Sequence, residues 1–236
     1  RRCATSSSMF SLPIGAAILT SSQPERSWGL AGLLGPATRV WGTRATGVAL
    51  ERDFARERER LLRAGVPHDD LPRAAPRVTN TFSGSLSLGF EGYTLRLFEA
   101  GEEGAPLSTA IFVPETGELF AGGLVWNRVY PDTGGADLGA WRRTLAGLKR
   151  LRPRTVYPGH GEPGTARLLD EMSELLVAVE ESVRPLAAKS ALSARDLASL
   201  RRSLGRTRRD WVLPEILDES LRGEHARLRR LLAGGD

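Results

Sequence analysis

Ser21, Glu25 and His160 are the residue types of a nucleophile, a carboxylate and a base. When a serine hydroxyl meets an imidazole that a carboxylate orients, the serine can attack an ester, a thioester or a related acyl group. Residue types without a demonstrated geometry are weak evidence, and adjacent serines such as Ser21 and Ser22 are common in loops. The three residues are therefore candidates for metal-independent acyl chemistry only if the fold brings them together.

Arg26 suggests a second chemistry, which is the binding of an anion. It follows a polar stretch that contains Ser21, Ser22, Gln23 and Glu25. A helix is predicted to start at Ser27, and both a guanidinium group and the backbone amides at a helix start favour a carboxylate or a phosphate. The alternative is an ion pair of Arg26 with Glu25 or Asp132 that fills the same space.

The charge and the cysteine content indicate the compartment of the protein and the kinds of partner to expect. The chain has 236 residues and a net charge of +5, and its 33 basic residues are all arginine except Lys149 and Lys189. The dense basic cluster at residues 201–209 is typical of a solvated helix end rather than of a nucleic-acid-binding stripe. The lone Cys3 permits no internal disulfide, and the longest apolar run, at residues 12–19, is too short to cross a bilayer. We therefore expect a cytoplasmic protein with no nucleic-acid or membrane partner.

Alternating strand and helix patterns indicate an α/β or layered α+β fold. Strands are predicted at residues 12–20, 38–42, 93–98, 109–113, 118–125 and 154–158. Helices are predicted at residues 27–34 and 51–64, and a proline-rich loop or lid is predicted at residues 66–81. Pro114 and Gly117 suit a tight turn, which predicts a hairpin between the strands on either side.

The rest of the chain is predicted to be mostly helical. Asp137 is expected to cap a helix with one apolar face. A longer apolar stripe follows, which consists of Leu168, Leu169, Met172, Leu175, Leu176, Val179 and Val183. Ser193 is expected to open a further helix that Gly205 closes, and Pro214 to begin the last one. The stripe must be buried, either against the same chain or in a dimer contact or a substrate cover.

Three stretches of sequence carry a resemblance to a known family. Residues 18–26 are a strand followed by a polar loop, residues 118–125 read Glu-Leu-Phe-Ala-Gly-Gly-Leu-Val, and residues 155–161 read Thr-Val-Tyr-Pro-Gly-His-Gly. This order resembles the metallo-β-lactamase-fold hydrolases, in which a His-x-His-x-Asp-His loop, a Gly-Asp strand and a Pro-Gly-His-Gly loop follow one another. The resemblance implies an αββα sandwich over residues 1–165 and a helical C-terminal extension over residues 166–236.

The resemblance also implies a degenerate member, because nearly every metal ligand of that family is replaced. Where the family's loop has two histidines, an aspartate and a third histidine, this chain has Ser21, Gln23, Glu25 and Arg26. The next histidine falls at or near Gly104, the bridging aspartate falls at Gly123, and only His160 is kept. Zinc and iron sites need several imidazoles and carboxylates that converge at about 2 Å. We therefore expect no metal cofactor.

His160 lies in a glycine-rich turn and has three possible roles. It can be a remnant ligand, a general base or a structural hydrogen-bonding group, and a lone histidine is most often the last of these. Gly159 and Gly161 are expected to preserve the turn of the backbone rather than any chemistry.

Two functions follow from the loss of ligands. The first is a pseudoenzyme whose vestigial cleft binds a small anionic ligand or a protein partner, through Ser22, Gln23, Arg26, Trp126, Asn127 and Tyr130. The alternative is a metal-independent hydrolase or acyl-transfer enzyme that uses Ser21, Glu25 and His160. A third arrangement keeps one metal ion on His160 and unusual ligands such as Glu25, although zinc usually takes four ligands.

The start of the chain departs from the family as well. Only about twenty residues precede the loop that begins at Thr20, whereas the family has further strands there. Either the chain is truncated, or the first sheet is incomplete or completed by a partner. An unpaired sheet edge invites another strand, so a homo-oligomer is one expectation.

Overall fold

Two β-sheets lie against each other, with helices on both outer sides. The structure, a computed structural model, describes residues 14–35, 38–101, 106–134 and 136–234. The first part of the chain forms β1 (Ala16–Ile18), α1 (Pro24–Ser27), α2 (Leu30–Leu33), β2 (Arg39–Thr43), α3 (Arg44–Arg63) and β3 (Asn80–Phe82). The three strands are parallel and pair in the order β1–β2–β3.

The second sheet is larger and mainly antiparallel. Its strands are β4 (Ser85–Phe90), β5 (Tyr93–Ala100), β6 (Ser108–Val113), β7 (Glu118–Trp126) and β8 (Thr155–His160), in this spatial order, with only β7 and β8 parallel. The predicted hairpin is confirmed, since Val113 pairs with Glu118 and the turn between them contains Gly117 at a φ of 73°.

The remaining helices are α4 (Leu138–Lys149), α5 (Arg167–Val183), α6 (Ala194–Gly205) and α7 (Ile216–Ala233), with 3₁₀ turns at His68–Asp70 and Arg184–Leu186. The cap predicted at Asp137 is confirmed, because its side chain accepts a hydrogen bond from the Ala140 amide at 3.0 Å. Ser193 opens α6 in a reciprocal capping box with Asp196. The sequence signals at these helix starts are thus sufficient to place them.

Successive side chains along a strand point to opposite faces of the larger sheet, so one face packs on the smaller sheet and the other packs on helices. Ile111 packs with Phe82 between the two sheets. Phe112 points the other way, into the main core that the sheet shares with α4 and α5. On the far side of the smaller sheet, Leu50 of α3 packs with Val40 of β2. The order helix, sheet, sheet, helix is the predicted αββα sandwich.

The apolar stripe of α5 is buried along its full length. Its residues belong to the same core cluster as Leu119 of β7 and Val156 of β8, so α5 is part of the helical layer over the larger sheet. The division into a domain at residues 1–165 and an extension at residues 166–236 stays a prediction. In the described part of the chain, no helix has the length and apolarity to cross a bilayer.

The structure corrects several predicted elements in the first part of the chain. The strand expected at residues 12–20 is only β1 within the described residues, and residues 12 and 13 lie outside them. The helix expected to start at Ser27 is wrong, because Ser27 ends the single turn α1 and only the single turn α2 lies within residues 27–34. Trp28, between the two turns, packs on Phe54 with ring centroids 5.0 Å apart, and Gly29 favours helix poorly. The helix expected from residue 51 begins at Arg44, where the Thr43 hydroxyl caps it.

Two strands were not predicted. β3 forms at the end of the proline-rich loop, and β4 follows it directly. Residues 85–88 read Ser-Leu-Ser-Leu, and this alternation is the period of two that a half-buried strand shows. The signal for β4 was therefore present in the sequence, but it is short.

Candidate ligand-binding site

A cleft with a volume of about 520 Å³ lies where the loop after β1, the end of β7 and the loop before α4 meet. Among the residues that line it are five predicted site residues, namely Ser21, Ser22, Gln23, Arg26 and Trp126. Gly123 also lines the cleft, which we call the Arg26 cleft. Its size falls within the range of small-molecule sites, which is roughly 300–1,000 Å³.

Arg26 has a buried guanidinium group with no hydrogen-bond partner in the described part of the chain. Its Nε, Nη1 and Nη2 atoms are all shielded from solvent and all unpaired there. The ion pair with Glu25 or Asp132 that the sequence offered as an alternative is thus not formed. Burial lowers the pKa of Arg26, an effect that the charge of Glu25 opposes. An arginine remains protonated in proteins, so this group keeps its positive charge.

Two glycines make room for the guanidinium group. A Cβ atom at Gly123 would overlap Nη1 of Arg26, and one at Gly159 would lie 3.0 Å from Nη2. The resemblance in the sequence expects the family's bridging aspartate at Gly123, and Gly159 directly precedes His160. The lack of a side chain at residue 123 leaves room for the cationic side chain of Arg26.

Trp126 joins Arg26 and His160. The indole lies on the imidazole of His160, with ring centroids 4.0 Å apart and 28° between the planes. The Arg26 Cζ atom is 5.7 Å from the Trp126 ring centroid, which is within the range of a cation–π contact. The indole Nε1 donates a hydrogen bond to the Gly123 carbonyl at 2.9 Å. Trp126 is thus fixed as an apolar wall beside the cation.

His160 is half-buried, and its Nε2 atom has no hydrogen-bond partner among the described residues. Burial and then the positive charge of Arg26 lower the pKa of His160, and the charge of Glu25 raises it by less. The imidazole is therefore mainly neutral at pH 7.

The three residues proposed for acyl chemistry are not linked in this conformation. Ser21 is buried, and its Oγ accepts a hydrogen bond from the Gln23 amide at 3.1 Å. Because His160 Nε2 is unpaired in the described residues, it does not hydrogen-bond to Ser21. Glu25 is exposed. A nucleophile and a base need to be within hydrogen-bond reach, so a catalytic arrangement would require movement.

The residues present do not fit the dinuclear metal centre that the resemblance implies. Ser21 and Gln23 are weak ligands, Gly123 has no side chain, and the guanidinium of Arg26 places a fixed cation beside His160. Within the described ranges, no three His, Cys, Asp or Glu side chains come together as a metal site would require. Gly104 lies outside the described residues.

Two further predicted site residues lie away from the Arg26 cleft. The Asn127 side chain donates to the Glu162 carbonyl at 2.7 Å, and its backbone amide donates to the His160 carbonyl at 2.9 Å. Asn127 therefore holds the glycine-rich turn. Tyr130 is 3% exposed and packs on Trp211, with ring centroids 5.3 Å apart, and burial raises the pKa of its hydroxyl. Tyr130 therefore links the loop after β7 to the C-terminal helical region.

Sequence reasoning missed other parts of the cleft wall. Asp53, Asp132, Pro106, Leu107 and Thr133 line the cleft as well. Asp53 lies on α3 and forms ion pairs with Arg52 at 2.6 Å and Arg56 at 3.1 Å. It is brought to the cleft by the packing of α3 on the smaller sheet, for which no local pattern gives a signal. Asp132 was named only as a partner for Arg26, and its Oδ1 instead accepts from the Gly134 amide at 2.8 Å.

Comparison with solved structures identifies the fold. The metallo-β-lactamase from Pontibacter korlensis superposes with a TM-score of 0.54 at 19% identity, over 70% of each chain. TMB-1 and the DIM-1 metallo-β-lactamase each superpose with a TM-score of 0.51, at 20% and 21% identity, over 69% of this chain and 67% of theirs. No protein-family model matches the sequence, and no curated protein matches it. The likeness establishes the scaffold, while function depends on the site.

Proposed function

We propose that this chain, which has the metallo-β-lactamase fold, is a metal-free binding protein for a small anion in the Arg26 cleft. The observation that carries the proposal is the buried guanidinium of Arg26, which has no partner in the described residues. It lies beside Gly123, where the resemblance in the sequence expects the family's bridging metal ligand. In this account the protein supplies its own cation where relatives of this fold hold metal ions.

The energetics of burial favour an anionic ligand. An unpaired charge away from water is destabilising by several kcal/mol, so buried charges in proteins are normally paired. Arg26 departs from this rule within the described part of the chain, although Glu25 and Asp132 are near in sequence or line the same cleft. A bound anion would pair with the guanidinium group of Arg26, which offers up to five N–H donors in a planar fork.

The other cleft residues are suited to binding rather than to proton transfer. Ser21, Ser22 and Gln23 line the cleft, and the two hydroxyls and the side-chain amide of Gln23 can donate to an anion. The alternative of a metal-independent hydrolase that uses Ser21, Glu25 and His160 stays a prediction. No contact observed here favours it, because Ser21 is engaged with the Gln23 amide.

The test is a titration of the chelator-treated protein with acetate and with inorganic phosphate, followed by the backbone amide and arginine Nε–H signals in NMR spectra. We expect at least one of the two anions to shift the Arg26 signal along a curve that fits a single site, and the backbone amides report binding in variants that lack Arg26. The variant Arg26→Gln should bind about ten-fold or more weakly, since a hydrogen bond to a charged group contributes roughly 1.5–3 kcal/mol. If neither anion binds, or if Arg26→Gln binds equally well, the proposal fails.

Two control variants make the result specific. Arg63 is an exposed arginine at the end of α3, and Arg63→Gln should leave the affinity unchanged. Glu102 and Glu103 precede the cleft residue Pro106 in the sequence. The double variant Glu102→Gln, Glu103→Gln should also bind like the unaltered protein. Markedly tighter anion binding by this variant would mean that the chain pairs Arg26 with its own carboxylate, which contradicts a free anion site.

A further inference from the structure

The Arg26 cleft has apolar walls as well as the charged guanidinium group of Arg26. Trp126, Leu107, Pro106 and Ala136 present apolar surface to the same space as the guanidinium group. Leu107 is 37% exposed, so part of its apolar surface is open to a ligand in the cleft. A ligand that filled this space would therefore meet a cation at one end and apolar walls at the other.

The charges around the cleft argue against a highly charged anion. Asp53 and Asp132 line the cleft together with Arg26. Asp53 is compensated by its ion pairs with Arg52 and Arg56, whereas Asp132 is exposed and forms no ion pair within the described residues. A phosphate carries more than one negative charge near pH 7, so its repulsion from these carboxylates exceeds that of a monoanion. One guanidinium group is matched by one negative charge.

The shape of the guanidinium group favours a planar anion. Nη1 of Arg26 lies closest to Gly123 and Nη2 lies near Gly159, in space that a Cβ atom at either residue would enter. A carboxylate is planar and accepts two parallel N–H bonds from a guanidinium fork. The Trp126 indole is only 8% exposed, and its hydrogen bond to the Gly123 carbonyl holds it where it lines the cleft beside Arg26.

We infer that the ligand of the Arg26 cleft is a small monocarboxylate with an apolar or aromatic body, its carboxylate on Arg26 and its body against Trp126 and Leu107. This inference rests on the proposed anion-binding function and narrows it to one chemical class. It assigns Leu107 as a specificity-determining residue and Asp132 as the group that disfavours phosphate.

Four probes test the inference on the same NMR titration, namely phenylacetate, acetate, inorganic phosphate and the neutral isostere phenylacetamide. Phenylacetate should bind about ten-fold or more tightly than acetate, because burial of its ring removes apolar surface from water. Phenylacetate should also bind more tightly than phosphate. Phenylacetamide should bind at least about ten-fold more weakly than phenylacetate, because it lacks the negative charge.

The outcomes separate the two proposals. If phosphate binds more tightly than phenylacetate, the anion site stands and the monocarboxylate class is wrong. If acetate and phenylacetate bind equally, the apolar body has no role and the inference is overturned. If none of the three anions binds, both the inference and the proposed function fail.

Two substitutions assign the specificity to named residues. Leu107→Ser should weaken phenylacetate about five-fold and leave acetate unchanged, since it removes apolar contact and not charge. Val212→Ser alters a residue that is 54% exposed and does not line the cleft, so it serves as the matched control. Asp132→Asn keeps an oxygen for the Gly134 amide and should strengthen phosphate binding. Equal effects of Leu107→Ser on both carboxylates, or no gain for phosphate, would contradict these assignments.

Discussion

Arg227 and Arg26 both lie in buried surroundings, but within the described residues only Arg227 is paired with a carboxylate. Arg227 of α7 donates from Nε and Nη2 to Glu224, with both distances at 2.8 Å, and the Glu224 side chain is 0% exposed. The same carboxylate is the main cause that raises the pKa of Arg227. Arg26 lies between two glycines, and no described residue pairs with its guanidinium nitrogens.

The difference separates a charge that the fold pairs from a charge that it leaves unpaired. Glu224 and Arg227 are three residues apart on α7, so this buried pair satisfies its own hydrogen bonds within one helix. An unpaired buried cation weakens the folded state, and under the proposed function it also creates affinity for an anion. We therefore expect stability to fall when the Glu224–Arg227 pair is broken and to hold when Arg26 is replaced.

Loss of the Glu224 charge should be the most damaging change. Glu224→Gln removes the fully buried carboxylate that accepts both hydrogen bonds from Arg227, and breaking one partner of a buried ion pair destabilises a protein by about 3–5 kcal/mol. Urea unfolding followed by circular dichroism measures the loss. A change below about 1 kcal/mol, the range of exposed pairs, would show that this pair is not structural.

Gly123→Ala should come next, because its Cβ would overlap the Arg26 guanidinium. Forcing an extra methyl group into a filled site destabilises a protein by about 1–3 kcal/mol. The double variant with Arg26→Ala should recover most of that loss, since the side chain that clashes is then gone. Unfolding free energies of the two single variants and the double variant give the coupling. Additive effects would mean that Arg26 does not occupy the space beside Gly123.

The pH dependence of stability reports the contact between Arg26 and His160. Because the pKa of folded His160 lies below its unfolded value of about 6.5, the unfolded chain binds the proton first on acidification. The contribution of His160 to stability is therefore fully present above about pH 6.5 and declines as the pH falls towards the folded pKa. Arg26→Met should raise the pKa of His160, which proton NMR can follow because the chain has only three histidines. A pKa that stays the same or falls in this variant would mean that the two side chains are not neighbours.

The smallest effect on stability is expected at Arg26 itself. Arg26→Met replaces an unpaired buried cation with an apolar side chain of similar length, which in buried sites is commonly neutral or stabilising. We expect the unfolding free energy to stay within about 1 kcal/mol or to rise, while anion binding is lost. A loss comparable to that of Glu224→Gln would place Arg26 in the same class as Arg227 and remove the contrast.

Local patterns were enough to predict much of the fold. The hairpin at Pro114 and Gly117, the cap at Asp137 and the capping box at Ser193 are each encoded within a few residues, and all three are confirmed. The packing of Trp28 on Phe54 of α3 joins distant parts of the chain, and no local pattern predicts it.

The site was predictable in part. The order of the stretches indicated that the loop with Arg26 and the turn with His160 meet, and in the structure Trp126 contacts both side chains. What the sequence did not decide was whether Arg26 is paired, because a nearby acid in the sequence need not lie within reach in space. The position of Tyr130 under Trp211 is likewise set by the docking of the C-terminal helices.

The most direct measurement of the central claim is a zinc titration of the chelator-treated protein, followed by calorimetry and by elemental analysis of the dialysed sample. We expect no stoichiometric binding, because the guanidinium of Arg26 lies beside His160 and because Ser21, Gln23 and Gly123 provide no strong metal ligand. One equivalent of tightly bound zinc that is lost in His160→Ala would contradict it, since the cleft would then be a metal site and not an anion site.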